Sequence, residues 1–192
     1  MRVSTDRQHT GPRAVVVVGV SASGKSTVGR ALADALGAAF VDADDLHPAS
    51  NVEAMAAGIP LTDEQRLPWL RAVGRAMRTE TDAGRDVVVA CSALRRTYRD
   101  VLREGAGHDL AFVHLTAPRE VLAERIAARR GHFMPASLLD SQLATLEPLS
   151  DDETGLVVDV TGPVSDAVGQ VTAWLPTIGA TSRTGDDAAA TG

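Results

Sequence analysis

The chain has 192 residues with a formal net charge of −6, and it is 44% hydrophobic but only 3% aromatic. Its length suits one α/β domain with a core built from Val, Leu and Ala. The acidic balance argues against a nucleic-acid partner, and no apolar stretch reaches the ~20 residues of a membrane span. Because the polar N-terminus also lacks the apolar region of a signal peptide, we expect a cytoplasmic protein that does not enter the membrane.

Strands and helices alternate along residues 13–176, which we predict to form one domain between a disordered leader, 1–12, and a flexible tail, 177–192. Short runs rich in Val, Phe or Leu predict strands at 14–19, 39–42, 86–91, 111–115 and 155–160. Helical patterns occupy 25–36, 46–57, 63–82, 95–104, 118–130, 135–145 and 164–174. The alternation predicts an α/β fold, a five-stranded parallel sheet with helices on both faces. Ligands of such a sheet bind at the carboxyl ends of its strands.

The segment Gly-Val-Ser-Ala-Ser-Gly-Lys-Ser at 19–26 matches the P-loop template and lies between a predicted strand and a predicted helix. The backbone N–H groups of such a loop form an anion site for nucleotide phosphates. Lys25 is expected to reach the β- and γ-phosphates, and the Ser26 hydroxyl to ligate Mg²⁺. The predicted nucleotide-binding residues are Gly19, Val20, Ser21, Ala22, Ser23, Gly24, Lys25, Ser26 and Thr27.

Carboxylates cluster at the end of the second predicted strand, which we expect to lie beside the P-loop strand. The third strand closes without an aspartate, so Mg²⁺ ligation would rest on Ser26 and on the pair Asp42 and Asp44. One carboxylate would hold a Mg²⁺ water, as we expect of Asp42, while the other accepts a proton from an attacking hydroxyl. The alternative is a polar turn whose aspartates cap the next helix.

Two residue pairs beyond this cluster are candidates for substrate binding. His47 is a potential hydrogen-bond donor, and Asn51 follows at i+4 on the same helix face. Arg66 offers a planar fork for a carboxylate or phosphate. In the alternative interpretation Arg66 is solvated and Trp69 packs in the core.

Paired arginines occur on two later helices. Arg95 and Arg99 lie one turn apart and could face a bound anion together. Arg125 and Arg129 share a face late in the fifth helix. They indicate a lid, about 125–147, that brings arginine to the transferring phosphoryl group; the alternative is a basic helix end that complements the helix dipole.

Several segments together resemble one family. They are the P-loop, Asp42–Pro48 with Asn51 and Met55, Gly58–Leu61 with Asp63, Arg66, Pro68 and Trp69, and the shorter runs Cys91–Leu94, Tyr98–Asp100 and Gly131–Phe133. The chain resembles the thermoresistant gluconokinase family, in order from about residue 14 to residue 174. The resemblance implies a P-loop kinase fold with a mobile lid, ATP and Mg²⁺ as cofactors, phosphorylation of D-gluconate at its 6-hydroxyl for carbohydrate catabolism, and a homodimer.

The resemblance also implies roles for individual residues. The implied catalytic residues are Lys25, Asp44, Arg125 and Arg129. The implied gluconate site comprises Asp44, His47, Asn51, Arg66, Ser92, Arg99 and His132. Three places depart from the family pattern. Ala22 replaces a common Gly, Leu143 replaces an expected aromatic residue, and Arg95-Arg96 stands where family members often carry lysines, which keeps the charge but alters its geometry.

Two alternatives stay open, and the second of them belongs to a different functional class. One is another small-molecule kinase, such as one for shikimate, although Ser92-Ala93-Leu94 stands where those enzymes usually have three glycines. The other is a nucleotide-dependent switch, although the guanine-reading motif Asn-Lys-x-Asp is absent from the sequence.

Overall fold

The computed structural model describes residues 12–107, 109–128 and 136–179. The strands are β1 (Ala14–Val18), β2 (Ala39–Asp42), β3 (Val87–Ala90), β4 (Ala111–Thr116) and β5 (Gly155–Asp159). The helices are α1 (Lys25–Leu36), α2 (Ala49–Ala56), α3 (Asp63–Asp82), α4 (Arg96–Ala106), α5 (Arg119–Ala128), α6 (Ala136–Thr145) and α7 (Val164–Trp174), with 3-10 turns at Ala43–Leu46 and Leu175–Gly179. No described helix is long and apolar enough to cross a membrane.

The sheet is parallel throughout, in the order β2-β3-β1-β4-β5. The expectation that the second strand lies beside the P-loop strand is therefore wrong, because β3 separates them. Asp42 of β2 and Val17 of β1 are both in register with Ala90 of β3. The three strands thus end at the same level, and Asp42 still lies at the edge of the sheet where the P-loop begins.

Helices cover both faces of the sheet, as predicted. Val16 and Val18 of β1 belong to a core cluster with α3 and α4. Val15 and Val17 belong to the opposite cluster with α1 and α7. This alternation follows from the two-residue period of a strand, which turns successive side chains to opposite faces. With both faces buried, the strand consists entirely of apolar residues.

The region between β2 and α3 departs from the predicted helix at 46–57. It forms a 3-10 turn at Ala43–Leu46 and then α2, which begins after Pro48. The residue before a proline disfavours helical dihedrals, which explains the break at His47. Thr62 caps α3 as part of a capping box with Gln65.

Helices α3 and α4 approach each other most closely at two glycines. A Cβ atom built on Gly74 would lie 2.6 Å from the Cα of Gly105. Only hydrogen atoms therefore separate the two backbones at this point. The approach brings the buried side chains of both helices, including Trp69 of α3 and Tyr98 of α4, into one core.

Candidate active site

The P-loop between β1 and α1 is tightly wound. A Cβ atom on Gly19 would lie 2.7 Å from Ser23 Oγ and 2.9 Å from the Leu115 carbonyl oxygen. Ser23 is fully buried, and its hydroxyl has no hydrogen-bond partner within the described residues. Ala22 has φ 62°, a conformation that costs a non-glycine residue about 1–2 kcal/mol. The replacement of the common Gly at this position is therefore not neutral for the backbone.

Ser26 at the start of α1 contacts Asp42 at the end of β2. The Ser26 hydroxyl donates to Asp42 Oδ2 over 2.7 Å. The contact depends on Gly29, since a Cβ there would lie 2.8 Å from the ring of Phe40, so the missing side chain lets α1 lie close to β2. A hydroxyl and a carboxylate side by side are the oxygen ligands that Mg²⁺ prefers, and these two side chains fit that ion, directly or through water.

The two aspartates of the β2 end differ in their surroundings. Asp42 accepts hydrogen bonds on both oxygens, from the Ser26 hydroxyl and from the backbone N–H of Asp44. Asp42 thus caps the 3-10 turn, as the alternative interpretation expected of an aspartate here. Asp44 is exposed, and its carboxylate receives no hydrogen bond from the part of the chain that the structure describes. Of the pair, Asp44 is therefore the one whose carboxylate the described residues leave unengaged.

His47 is held by two neighbours. Its ring stacks on Trp69 with centroids 4.0 Å apart and an interplanar angle of 13°. The side-chain amide of Asn51 donates to His47 Nδ1 over 3.3 Å and to the Gln65 carbonyl over 3.1 Å. Because an amide nitrogen can only donate, Nδ1 is the acceptor and the ring proton sits on Nε2. The predicted His47–Asn51 contact is therefore present, but the two residues do not share a helix face, because His47 lies before α2.

The electrostatic environment keeps this ring neutral. Burial lowers the pKa of His47, and the charge of Arg66 lowers it further against the opposing effect of Asp44. A neutral ring with its proton on Nε2 presents one N–H donor, which suits a hydroxyl or carboxylate oxygen. Trp69 itself is buried and donates its indole N–H to the Ala43 carbonyl over 2.6 Å. For Trp69, the alternative interpretation that it packs in the core is confirmed.

Arg66 lies near the ring of Tyr98. Its Nε donates to the Leu61 carbonyl over 3.3 Å, and its guanidinium carbon is 5.8 Å from the Tyr98 ring centroid. The Tyr98 hydroxyl donates to Asp63 over 2.5 Å, and Arg95 pairs with the same carboxylate at 3.1 Å. The terminal nitrogens of Arg66, by contrast, have no hydrogen-bond partner among the described residues. Arg66 is thus the cation of this group that is available to an anionic ligand.

Arg99 lies elsewhere, which corrects its assignment to the substrate site. The side chain is 1% exposed, and its Nε and Nη2 make a two-point contact with Glu153 at 2.8 and 2.7 Å. Its remaining N–H groups donate to the carbonyls of Leu94, Glu147 and Pro148. All five donors are used, so Arg99 anchors the segment before β5 and does not face an anion together with Arg95.

The partner of Arg99 is a strongly stabilised carboxylate. Burial alone would raise the pKa of Glu153, but the hydrogen bonds from Arg99 and from the Ser150 backbone, with the charge of Arg103, lower it to about 2. The Arg99–Glu153 pair is therefore ionised and structural.

A cleft of about 270 Å³ that the sequence did not reveal lies beside the P-loop. Its floor comprises Ala22, Ser23, Gly24, Thr27 and Val28, and its far wall comprises Arg125, Val160, Gly162, Pro163, Val164 and Ala167. Arg125 lines this cleft and donates to the Val160 carbonyl. The sequence feature that could have indicated this cleft is Gly162-Pro163, which follows β5. Ligands of a parallel sheet bind where its strands end.

The remaining predicted residues have mixed outcomes. Arg129 and His132 lie outside the described residues. Ser92 is half-buried after β3 and does not cap α4, where Arg95 takes the cap position.

Leu143, at a position where we expected an aromatic residue, packs against a cluster that includes Val20 and Leu94. The part of the predicted lid that follows Leu139 thus lies against the P-loop in this structure.

Comparisons with known proteins agree with this geometry. The family model described as an AAA domain matches residues 15–149. A gluconokinase from Gluconobacter oxydans (strain 621H) is 50% identical over 151 residues, which cover 79% of this chain and 83% of the relative. The chain belongs to the gluconokinase family.

Further similarities support this assignment. The thermoresistant gluconokinase of Escherichia coli (strain K12) is 44% identical over 154 residues, which cover 80% of this chain and 87% of that protein. The crystal structure of a gluconokinase from Sinorhizobium meliloti 1021 matches with a TM-score of 0.78 at 47% identity, covering 90% of this chain and 96% of that one. The predicted family and the predicted P-loop kinase fold are both confirmed, and family membership favours neither the shikimate alternative nor the switch.

Proposed function

We propose that this chain is an ATP:D-gluconate 6-phosphotransferase that forms 6-phospho-D-gluconate for carbohydrate catabolism. One observation carries the proposal: the Ser26–Asp42 hydrogen bond of 2.7 Å joins the phosphate-binding loop to the β2 end, where Asp44 follows two residues later. A nucleotide site and an acidic acceptor site therefore share one edge of the sheet. Similarity to gluconokinases supports the choice of gluconate over other acceptors.

The cleft beside the P-loop is our proposed site for the nucleoside of ATP. Its lining after Val160 is largely apolar, as a base requires, and Arg125 adds a planar cation to the lining. The phosphates would then lie along Gly19–Ser26 with Lys25 beside them. When bound between Ser26 and Asp42, Mg²⁺ would neutralise phosphate charge.

The acceptor half of the proposed site offers the groups that a polyhydroxy acid requires. Arg66 would bind the carboxylate through its terminal nitrogens. His47 would donate its Nε2–H to a hydroxyl group. Asp44 would accept the proton of the 6-hydroxyl as that oxygen bonds to the γ-phosphorus and the bond to ADP breaks. Ser92 and His132 stay predicted substrate residues, and Arg129 a predicted lid residue.

The activity is tested by measuring ADP release with MgATP and a panel of sugar acids. Gluconate should stimulate release most strongly, and Lys25→Ala should abolish it. Phosphorylation of a different acid would overturn the substrate assignment. Nucleotide binding without acceptor-stimulated release would instead favour the switch.

The proposed base is tested by a matched pair of substitutions at the same turn. Asp44→Asn should lower kcat by about 10²–10⁴-fold, the usual contribution of a positioned general base. Asp45→Asn removes the same charge from the neighbouring exposed position and should leave kcat near that of the unsubstituted protein. Equal losses in both variants would show that only the local charge matters.

We also propose a homodimer in the cytoplasm, without a nucleic-acid partner. The family resemblance supports the dimer. The acidic composition supports the proposal that the protein has no nucleic-acid partner. Light scattering of the purified chain tests the dimer, since a monomeric mass would overturn it.

A further inference from the structure

The peptide group between Val20 and Ser21 in the P-loop is held at both ends. Its carbonyl oxygen accepts from the Lys25 ammonium over 3.1 Å. Its N–H donates to the side-chain oxygen of Gln142, on α6, over 2.7 Å. The same carbonyl also accepts from the Ser23 backbone N–H over 3.3 Å. Because a peptide group is a rigid plane, these three bonds together fix its orientation.

Gln142 is itself fixed in place by the packing of its helix. Leu139 is fully buried in one hydrophobic cluster with Val20, and Leu143 and Leu146 pack against that cluster. One turn later, the Glu147 backbone N–H donates to the Leu94 carbonyl over 2.8 Å. The glutamine therefore approaches the P-loop from a helix anchored on both sides of it.

We propose that Gln142 is a positioning residue for phosphoryl transfer, acting through the Val20–Ser21 peptide on Lys25. With the glutamine oxygen in place, the Val20 carbonyl points at the ammonium and holds it along the loop. Without it, the Ser21 N–H loses its acceptor, and the peptide is held only through its carbonyl, which can then tilt relative to Lys25. The P-loop motif contains no signal for this residue, which lies more than a hundred positions later in the chain.

This inference rests on the proposed function, because it assigns Lys25 its role on the phosphates of ATP. It adds a residue outside both the P-loop and the acceptor site. It also gives α6 a part in nucleotide binding that does not depend on which sugar acid is the acceptor.

The test compares three substitutions on α6. Gln142→Met keeps the length of the side chain but has no strong acceptor, and Gln142→Glu keeps the acceptor. Ser141→Ala, at the exposed neighbouring position, controls for a change in this helix. We expect Gln142→Met to lower kcat/KM for ATP by about 3- to 10-fold, the range for one lost hydrogen bond, with KM for gluconate unchanged.

Gln142→Glu, which keeps the acceptor, distinguishes a positioning role of Gln142 from a contribution to the stability of the fold alone. At saturating ATP, Gln142→Glu should recover a kcat above that of Gln142→Met, while its added charge raises KM for ATP. A Gln142→Met protein that melts at a lower temperature but retains the unsubstituted kcat and KM for ATP would overturn the inference. So would a Gln142→Glu protein with a kcat no higher than that of Gln142→Met.

A direct measurement of ATP affinity by calorimetry keeps the two proposals distinguishable. If the unsubstituted chain binds ATP but does not phosphorylate gluconate, the proposed function fails alone. The inference about Gln142 is then decided by ATP affinity, which should fall in Gln142→Met and stay unchanged in Ser141→Ala.

Discussion

The contact between α3 and α4 predicts the effect of adding a single methyl group. In Gly74→Ala the new Cβ would lie 2.6 Å from the Gly105 Cα, 2.9 Å from its carbonyl carbon and 3.1 Å from the Leu102 carbonyl oxygen. All three atoms are backbone, so no side-chain rotation relieves the contact. Either the helices separate or one of them shifts along the other.

The expected change in the free energy of unfolding of Gly74→Ala follows from two opposing effects. Carbon atoms pack best at about 3.5–4.0 Å, so the helices would have to move apart by roughly 1 Å. Such overpacking costs typically about 1–3 kcal/mol. Replacing glycine inside a helix recovers at most about 1 kcal/mol. We therefore expect Gly74→Ala to lower the free energy of unfolding by about 1–2 kcal/mol and the Tm by about 2–8 °C.

Gly169 on α7 provides the matched control. A Cβ atom there meets nothing within 4 Å, so Gly169→Ala gains the helix-propensity term without a contact. We expect it to stabilise the protein by about 0.5–1 kcal/mol. Urea denaturation and thermal melting of both variants measure the difference. A Gly74→Ala protein as stable as the Gly169→Ala protein would refute the close approach of α3 and α4.

Three further predictions concern charges and hydrogen bonds. Arg99→Met should lower the free energy of unfolding by up to about 3–5 kcal/mol, because the buried carboxylate of Glu153 loses its two-point partner and keeps Arg103 as its close cation. Urea denaturation measures the loss, and an unchanged KM for gluconate would confirm that Arg99 is structural. Since the pKa of Glu153 falls from 4.5 to about 2 on folding, its stabilisation is complete above pH 4.5 and is lost toward pH 2. Burial and the charge of Arg99 lower the pKa of His114, so stability should already decline as the pH falls below 6.5. Melts from pH 8 to pH 2 would reveal both steps. Asn51→Ala should raise KM for gluconate by about 10-fold with a smaller change in kcat, because it releases His47 from its orientation; steady-state kinetics measures both constants.

Each of these predictions has an outcome that contradicts it. A stable Arg99→Met protein with a raised KM for gluconate would return that arginine to the substrate site. A stability that is constant between pH 8 and pH 4 would contradict the protonation-linked loss at His114. An Asn51→Ala protein with an unchanged KM would show that His47 does not depend on the amide.

Local sequence determined the elements of this protein and the chemistry of its loop. The valine runs predict strands because both faces of a parallel sheet are buried, and the segment Gly19–Ser26 predicts a phosphate site because its backbone conformation requires glycine at fixed places. The prediction of one helix over 46–57 overlooked a local signal, Pro48. The residue before a proline disfavours helical dihedrals, so a helix boundary is expected there. These patterns depend on neighbours within one turn or one strand.

Tertiary structure decided which distant residues meet. The strand order placed β3 between β2 and β1, because no local pattern encodes which strands pair. Arg99 carries the charge of a ligand-binding residue, but the fold buries it against Glu153, whose position 54 residues away only the packed chain fixes. Gln142 reaches Ser21 for the same reason. Motif spacing thus determined the phosphate-binding loop, and packing determined which side chains surround it.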